Sequence, residues 1–515
     1  MSFKHFMTRR VMPVLVAGTL VPTAFFTTAR DEWVDHAYSI KKIVSPNQPT
    51  KKERVVILGS GWGSLSFLQR LDPDKVDVTV VSPRSFFFYT PLLAGCSTGT
   101  VASTSITESM RWHLHRFKEE GTSSRPLFLQ AHASSIDVEK KTVTCGSSAV
   151  GVSTTLDYDQ LVVAVGAESN TFNIKGVKEY ATMMKEVEDS LKVRREVLEK
   201  LESANSLLVS GASDEEVRRH LRWVVVGGGP TGVELTAELC DFVNSDVRDY
   251  FPALTDKIQI SLIEGTGKVL GVFAPHISEY ARNKLLEQGA NVTTNCFVTG
   301  ANEKTVSLLN AVDKSKSSID YGLLVWAGGI GARPFTRAFA TQIGGEQLPK
   351  KGPLRGLKVD NKFRVAGADN VWALGDCALS GSPPTAQAAY QQGKYLGRLF
   401  RETNCEREKV EAHEAFEFHN YGSLAYVGSS SAVADLKLHL WGSEHPAGRG
   451  QGSDSTVLEG KGAFAIWRSL YFSKMLSMKN RWQVLFDWCM SGAFGRDISA
   501  PYNEQVEVKK AGKSA

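Results

Sequence analysis

A chain of 515 residues exceeds the ~250–300 that one hydrophobic core organises, so two or three domains are expected, and 42% apolar with 22% charged residues excludes disorder for its bulk. The formal charge of +5, with no basic block interleaved with aromatics, argues against a nucleic-acid partner. Seven scattered cysteines without a C-x-x-C pair argue against a disulfide framework or a metal site.

The first 30 residues carry Lys4, His5, Arg9, Arg10 and Arg30 with Ser and Thr, and no acid precedes Asp31. Their apolar run, 11–26, is broken by Pro13 and Pro22 and is short for a bilayer span of ~20 residues. This leader (1–30) suits organelle import, the mitochondrion being preferred over secretion, and residues 31–52 read as a polar linker.

A first nucleotide fold opens with the strand 55–58, a glycine turn, a helix over 62–71 and the strand 76–81. Gly59, Gly61 and Ser64 occupy the positions of a G-x-G-x-x-G, with Trp62 and Gly63 between them and Ser64 departing from the strict pattern. The second strand ends in Ser82-Pro83-Arg84, where an NAD site would place an acid for the ribose 2′-hydroxyl. The missing acid weakens NAD and fits FAD, whose adenosine end Ser82 and Arg84 can hold; a solvated loop charge is the alternative for Arg84. Phe86, Phe87, Phe88 and Tyr89, then Thr90, Pro91, Leu92 and Leu93, suit either a flat tricyclic ring or a core strand. Residues 127–150 alternate like antiparallel strands, and 161–165 close the unit at Gly166. Residues 179–202 read as a helix and 205–216 as a loop.

The second copy is more complete. The strand 223–226 runs into Gly227-Gly228-Gly229-Pro230-Thr231-Gly232-Val233-Glu234, in which Gly227 makes the turn, Gly229 admits a pyrophosphate and Gly232 lets helix and strand pack. One such match could be only a tight turn; two in one chain predict two dinucleotides. The next strand ends at Glu264, further from the glycines than the usual ~20 residues, so an insertion around 244–256 is expected. Glu264 can accept both ribose hydroxyls and would repel a 2′-phosphate, which favours NADH over NADPH. The strand 323–326 closes this copy at Ala327, Gly328 and Gly329 as 161–166 closes the first, so the second copy lies inside the first. A long polar loop then leads to Gly375 and Asp376, a strand end that alone would read as a helix cap.

Apolar residues at 464, 467, 470, 471, 475 and 478, and again at Trp482, Leu485, Phe486 and Cys489, give helical amphipathicity, with Lys479 and Arg481 at the junction. Such helices suit a membrane interface; a core helix or a homodimer face is the alternative. The expected organisation is α/β: two Rossmann-type dinucleotide-binding domains, for FAD (53–180 and 355–425) and NADH (181–354), with a C-terminal amphipathic membrane-attachment and possible dimerisation region (426–515).

With Gly375-Asp376-Cys377-Ala378 after two glycine turns, the chain resembles the two-dinucleotide-binding-domain flavoproteins. More narrowly, over about 53–500 it resembles type II NADH:quinone oxidoreductases, the non-proton-pumping alternative NADH dehydrogenases of respiratory chains. The specific segments are 59–63, 82–84, 90–93, 227–234, 385–391 and 494–499. The resemblance implies that Asp376 binds non-covalent FAD at its ribitol or pyrophosphate, and that Gln387 and Gln391 lie where flavin meets quinone. Tyr390 stands where mitochondrial members often carry His, and Val165 and Gly328 depart from the usual Thr.

The activity implied is hydride transfer from NADH to FAD and two electrons onward to ubiquinone, with Gln387, Gln391 and Glu234 as catalytic candidates and no metal. Peripheral, monotopic attachment to the mitochondrial inner membrane is expected from the leader and from C-terminal amphipathic stretches that never reach the ~20 continuous apolar residues of a spanning helix. A sulfide:quinone reductase-like enzyme and an NADH-responsive signalling flavoprotein of the apoptosis-inducing factor type are the alternatives.

Overall fold

The computed structural model describes residues 52–117, 127–147, 150–437, 455–475 and 477–499. The expected leader, nearly all of the linker and the tail beyond 499 lie outside the described residues. Two five-stranded parallel sheets organise the chain. In the first, Glu53–Leu58 lies between Val76–Val81 and Gln160–Val163, with Phe128–Leu129 and Val371–Ala373 at the edges. In the second, Arg222–Val226 lies between Gln259–Ile263 and Leu323–Trp326, with Ala290–Thr293 and Thr182–Met183 outermost. The apolar strand 55–58 fits this: Val55, Val56, Ile57 and Leu58 are all buried, as strands covered on both faces must be.

The duplication extends to the insertions. A three-stranded antiparallel ribbon precedes each closing strand, over His132–Asp137, Thr142–Ser147 and Val152–Asp157 in one unit and Cys296–Ala301, Thr305–Asn310 and Lys316–Asp320 in the other. Ala167–Ser169 pairs antiparallel with Ile330–Ala332 and ties the two units beside their closing strands. Because Val371–Ala373 returns to the edge of the first sheet, the second unit is an insertion in the first.

Local differences from the sequence reading have local causes. The long helix is Val187–Val209, not 179–202: Glu186 and Asp189 form a reciprocal capping box that sets its start, and Thr182–Met183 before it is a strand. The expected loop at 205–216 is largely helical, since Ser213 caps a second helix, Asp214–His220, by accepting from the Glu216 amide. The insertion near 244–256 prolongs the Pro230–Phe242 helix through a π-turn, Val243–Val247, and Arg248–Tyr250. The polar stretch after Arg333 contains a helix, Pro334–Ile343, entered through proline.

The C-terminal part is an antiparallel sheet of Gly422–Gly428, Ser431–Lys437 and Ser455–Glu459, followed by helices Gly460–Lys474 and Met478–Phe494. The apolar pattern runs across residue 475 without interruption, but the helix does not. Ser477 caps the second helix through the Asn480 amide, and Arg481 turns back to donate to the Met475 carbonyl at 2.9 Å, capping the first. Asn480 also donates to the carbonyls of Ser105 and Thr107, seating this helix on the first unit. Among the described residues no helix is long and apolar enough to cross a membrane.

Candidate active site

The two glycine turns share one geometry. Gly59 and Gly227 have φ of +111° and +110°, and a Cβ on either would strike the carbonyl of the closing strand, Ala164 in one and Ala327 in the other. Both therefore need glycine's left-handed freedom and its bare α-carbon. A Cβ at Gly61 or Gly229 would meet nothing within 4 Å, so each turn presents an open backbone for a ligand to approach. Gly232 packs its helix onto the turn, where a Cβ would lie 1.8 Å from the Gly227 oxygen. Ser64, its counterpart, is buried, and its hydroxyl has no hydrogen-bond partner among the described residues.

A cavity of about 2040 Å³ joins the units. Gly59, Gly61, Trp62, Gly63, Ser82, Arg84, Thr90, Pro91, Gly166, Gly375 and Asp376 line it from the first unit, and Pro230, Thr231 and Glu234 reach it from the second. Gln387, Tyr390 and Gln391 line it as well. Ser64, Gly227, Gly229, Gly232, Glu264, Ala327, Gly328 and Gly329 do not; they form or back the turns outside its walls.

Its polar groups are held in place. Ser82 donates to Ser60 and Ser60 to the Phe86 carbonyl, both at 3.0 Å. Arg84 lies 4.6 Å over the Phe88 ring and pairs with Glu186, whose other oxygen takes Arg333 at 2.7 Å. Arg333 also donates to the Val165 carbonyl at 2.8 Å, so one carboxylate bridges arginines from the two units. Asp376 faces Lys185 at 3.4 Å, and the Gly375 amide donates to Gln392 at 2.7 Å. Trp62 donates to Thr90 at 3.0 Å and makes edge contacts with Phe87 and Tyr390, at centroid distances of 4.9 and 6.5 Å. The two expected glutamines hold backbone: Gln391 exchanges hydrogen bonds with the His419 peptide groups, and Gln387 accepts from the Tyr421 amide.

In the second unit, Glu264 accepts from the Gly228 and Thr266 amides, each at 2.6 Å, which fixes its carboxylate beside the turn. Glu234 is buried and accepts from the Tyr426 amide at 3.2 Å. Burial pushes its carboxyl up to about 8, with the nearby Glu238 charge adding to the effect. An unfolded Glu234 would ionise near 4.5, so between about 4.5 and about 8 the folded state binds the extra proton and stability falls as pH rises. Glu234→Gln, neutral throughout, should flatten that decline in a series of thermal melts across the window; an unchanged slope would show that the carboxylate is ionised in the fold.

Several cavity residues have no signature in the sequence. Lys185, Glu186 and Arg333 lie in stretches without motif, and Tyr471, Lys474 and Met475 enter from the C-terminal helix. A signal did exist for the acids behind Glu234: Glu238 and Asp241 follow it at helical spacing on Pro230–Phe242, and all three face the C-terminal part through Tyr426 and Arg496.

Comparison with known proteins agrees with this architecture. Residues 53–393 match the pyridine nucleotide-disulphide oxidoreductase family, which defines the class of protein, and residues 420–497 match the NDH2 C-terminal domain. The external alternative NADH-ubiquinone oxidoreductase of Yarrowia lipolytica mitochondria is 36% identical over 499 residues, covering 88% of this chain and 81% of that protein. The external NADH-ubiquinone oxidoreductase 2 of Saccharomyces cerevisiae mitochondria is 35% identical over 479 residues, with 87% and 82% covered. The structure of NDH2 from Plasmodium falciparum in complex with NADH superposes with a TM-score of 0.77 at 29% identity, covering 87% of this chain and 100% of that one. The chain belongs to the alternative NADH-ubiquinone oxidoreductases. That membership favours the NADH–quinone reading over the sulfide:quinone reductase-like and signalling alternatives.

Proposed function

We propose that the protein oxidises NADH and passes two electrons to ubiquinone through non-covalently bound FAD, at the surface of the mitochondrial inner membrane and without pumping protons. The observation that carries this is one cavity lined by the first glycine turn and by Pro230, Thr231 and Glu234 at the start of the helix after the second, since two nucleotides must meet ring to ring for a hydride to cross. Bound FAD would supply the chemistry of accepting a hydride and releasing two electrons.

The residues present fit that group. The bare backbone at Gly61 and the helix N-terminus behind it suit a pyrophosphate. Ser82 and Arg84 suit the adenosine end, while Asp376 and the Gly375 turn suit the ribitol side. Trp62 and Pro91 with Phe86, Phe88 and Tyr89 supply a largely apolar wall for a flat ring. Pro230, Thr231 and Glu234 would meet the nicotinamide end of NADH, and the protonated Glu234 would place no negative charge there. Gln387, Tyr390 and Gln391 would border the quinone, with the glutamines shaping that wall by gripping residues 419–421.

Glu264 would read the ribose. Its two amide partners hold it at the turn, so a 2′-phosphate would meet a fixed carboxylate. Glu264→Gln should narrow the ratio of kcat/KM for NADH over NADPH by about tenfold or more. Equal efficiencies in the unaltered protein would contradict this assignment. The activity as a whole is tested by steady-state NADH oxidation with purified, FAD-loaded protein: the rate should depend on added short-chain ubiquinone, and quinone-independent turnover would refute the proposal.

Membrane attachment is read from the second C-terminal helix. Trp482, Phe486 and Phe494 are 52%, 62% and 64% exposed and, with Met490, recur every fourth residue along Met478–Phe494. An exposed apolar stripe beside Lys479 suits a bilayer interface.

A further inference from the structure

The first strand of the second unit's ribbon, Cys296–Ala301, alternates between inside and outside. Cys296 and Val298 are buried, and Phe297 between them points outward with 50% of its surface exposed. A single exposed apolar side chain is ordinary; the seat of this one is not. Its ring lies against Gly265, where a Cβ would come within 2.6 Å of its Cε1 and 2.8 Å of its Cδ1. Gly265 has no positive φ, so its backbone does not call for glycine; the ring takes the space a side chain would fill.

Gly265 follows Glu264, the carboxylate held by the Gly228 and Thr266 amides. Backbone hydrogen bonds fix ring and carboxylate together: the Cys296 amide donates to the Glu264 carbonyl at 2.9 Å, and the Asn295 amide to the Thr266 carbonyl at 2.8 Å. Turn, carboxylate and ring are thus contiguous, since Gly228 bonds Glu264 and Glu264 bonds the strand that carries Phe297. Consecutive α-carbons stand about 3.8 Å apart, so the ring is seated one residue beyond the carboxylate.

We propose that Phe297 is a substrate-binding residue, the open side of its ring stacking on the adenine of NADH while Glu264 holds the adjoining ribose. The inference rests on NADH being the electron donor and on Glu264 reading its ribose. Adenine has a flat π-face and is joined directly to the ribose, so a carboxylate for the hydroxyls and a ring for the base fit the adenosine half of the dinucleotide. An aromatic platform contributes roughly tenfold or more in affinity per stacked base. Because Gly265 and the strand already seat the ring, little side-chain freedom is lost when the base arrives.

The test uses the full-length, FAD-loaded protein with Phe297→Ala, which removes the ring, and Phe297→Tyr, which keeps it. ADP-ribose, the adenosine half of NADH without the nicotinamide, is the binding probe, and its Kd is read by titration calorimetry. KM and kcat are read with NADH and with NADPH at saturating short-chain ubiquinone. Phe297→Ala should raise the Kd of ADP-ribose about tenfold and lower kcat/KM for NADH about tenfold, through KM rather than kcat. The preference for NADH over NADPH should stay within about twofold of the parent, because Glu264 keeps its amide partners, and Phe297→Tyr should bind within about threefold of it. Parent-like Kd in Phe297→Ala would overturn the inference. Weaker binding together with a collapsed preference for NADH would also overturn it, by assigning the ring only the structural role of holding Glu264 in place. A parent protein that neither binds ADP-ribose nor oxidises NADH would overturn the donor assignment itself.

Discussion

Arg496→Ala should destabilise the protein by about 3–5 kcal/mol, because it removes a buried cation and leaves its carboxylates out of water. The Arg496 side chain is 13% exposed, donates to Asp246 at 2.8 Å and lies 3.5 Å from Glu238, whose side chains are 2% and 8% exposed. Thr98 and Thr100 donate to the same Glu238, at 2.9 and 2.6 Å. Next to them burial holds the Asp241 carboxyl above its usual range against the pull of Arg496, and the Tyr426 hydroxyl donates to it. Arg496 thus locks the end of the C-terminal helices onto the helix that starts at the second glycine turn. Thermal melts and limited proteolysis should show early release of the C-terminal part in Arg496→Ala. Adding Glu238→Gln and Asp246→Asn should recover much of the loss, since the stranded charges go as well. Parent-like melting of Arg496→Ala would show that the cluster contributes nothing net.

Replacing Trp482, Phe486 and Phe494 together by serine should release the protein from anionic vesicles without lowering its melting temperature. Each large apolar side chain is worth about 1.5–3 kcal/mol when fully buried, so three should lower the partition coefficient by at least about a hundredfold even if each inserts only partly. Their exposure leaves little folded-state packing to lose. Deleting the whole C-terminal segment would be a poorer test, because it also removes Arg496 from its cluster and Tyr471 and Lys474 from the cavity wall. Co-sedimentation with vesicles decides: undiminished binding by the triple variant would place the attachment elsewhere.

What was legible in the sequence was local. A nucleotide turn needs particular residues within a dozen positions, because Gly59 and Gly227 must take positive φ against a neighbouring carbonyl and Gly232 must pack on Gly227, so spacing alone pointed to both turns. The central strands followed from the apolar runs at 55–58 and 223–226 that lead into the two turns. The Arg84–Glu186–Arg333 bridge left no such trace: Arg84 was legible only as a ligand contact, and its partners lie about a hundred or more positions away, where each alone looks like a surface charge. Helix ends were missed where side-chain caps outweighed apolar periodicity, at Glu186 with Asp189 and at Ser477 with Asn480. Gln387 and Gln391 lie on the cavity, but their amides bond the backbone of residues 419–421, a partnership between segments that helical spacing does not encode.

The most direct measurement is anaerobic double-mixing stopped flow on the FAD-loaded protein. NADH is mixed first, a short-chain ubiquinone second, and flavin absorbance is followed through both steps. One equivalent of NADH should bleach the flavin, and one equivalent of quinone should restore its absorbance as fast as steady-state turnover requires. A flavin that bleaches but stays reduced in the presence of quinone would contradict the assignment of quinone as the electron acceptor.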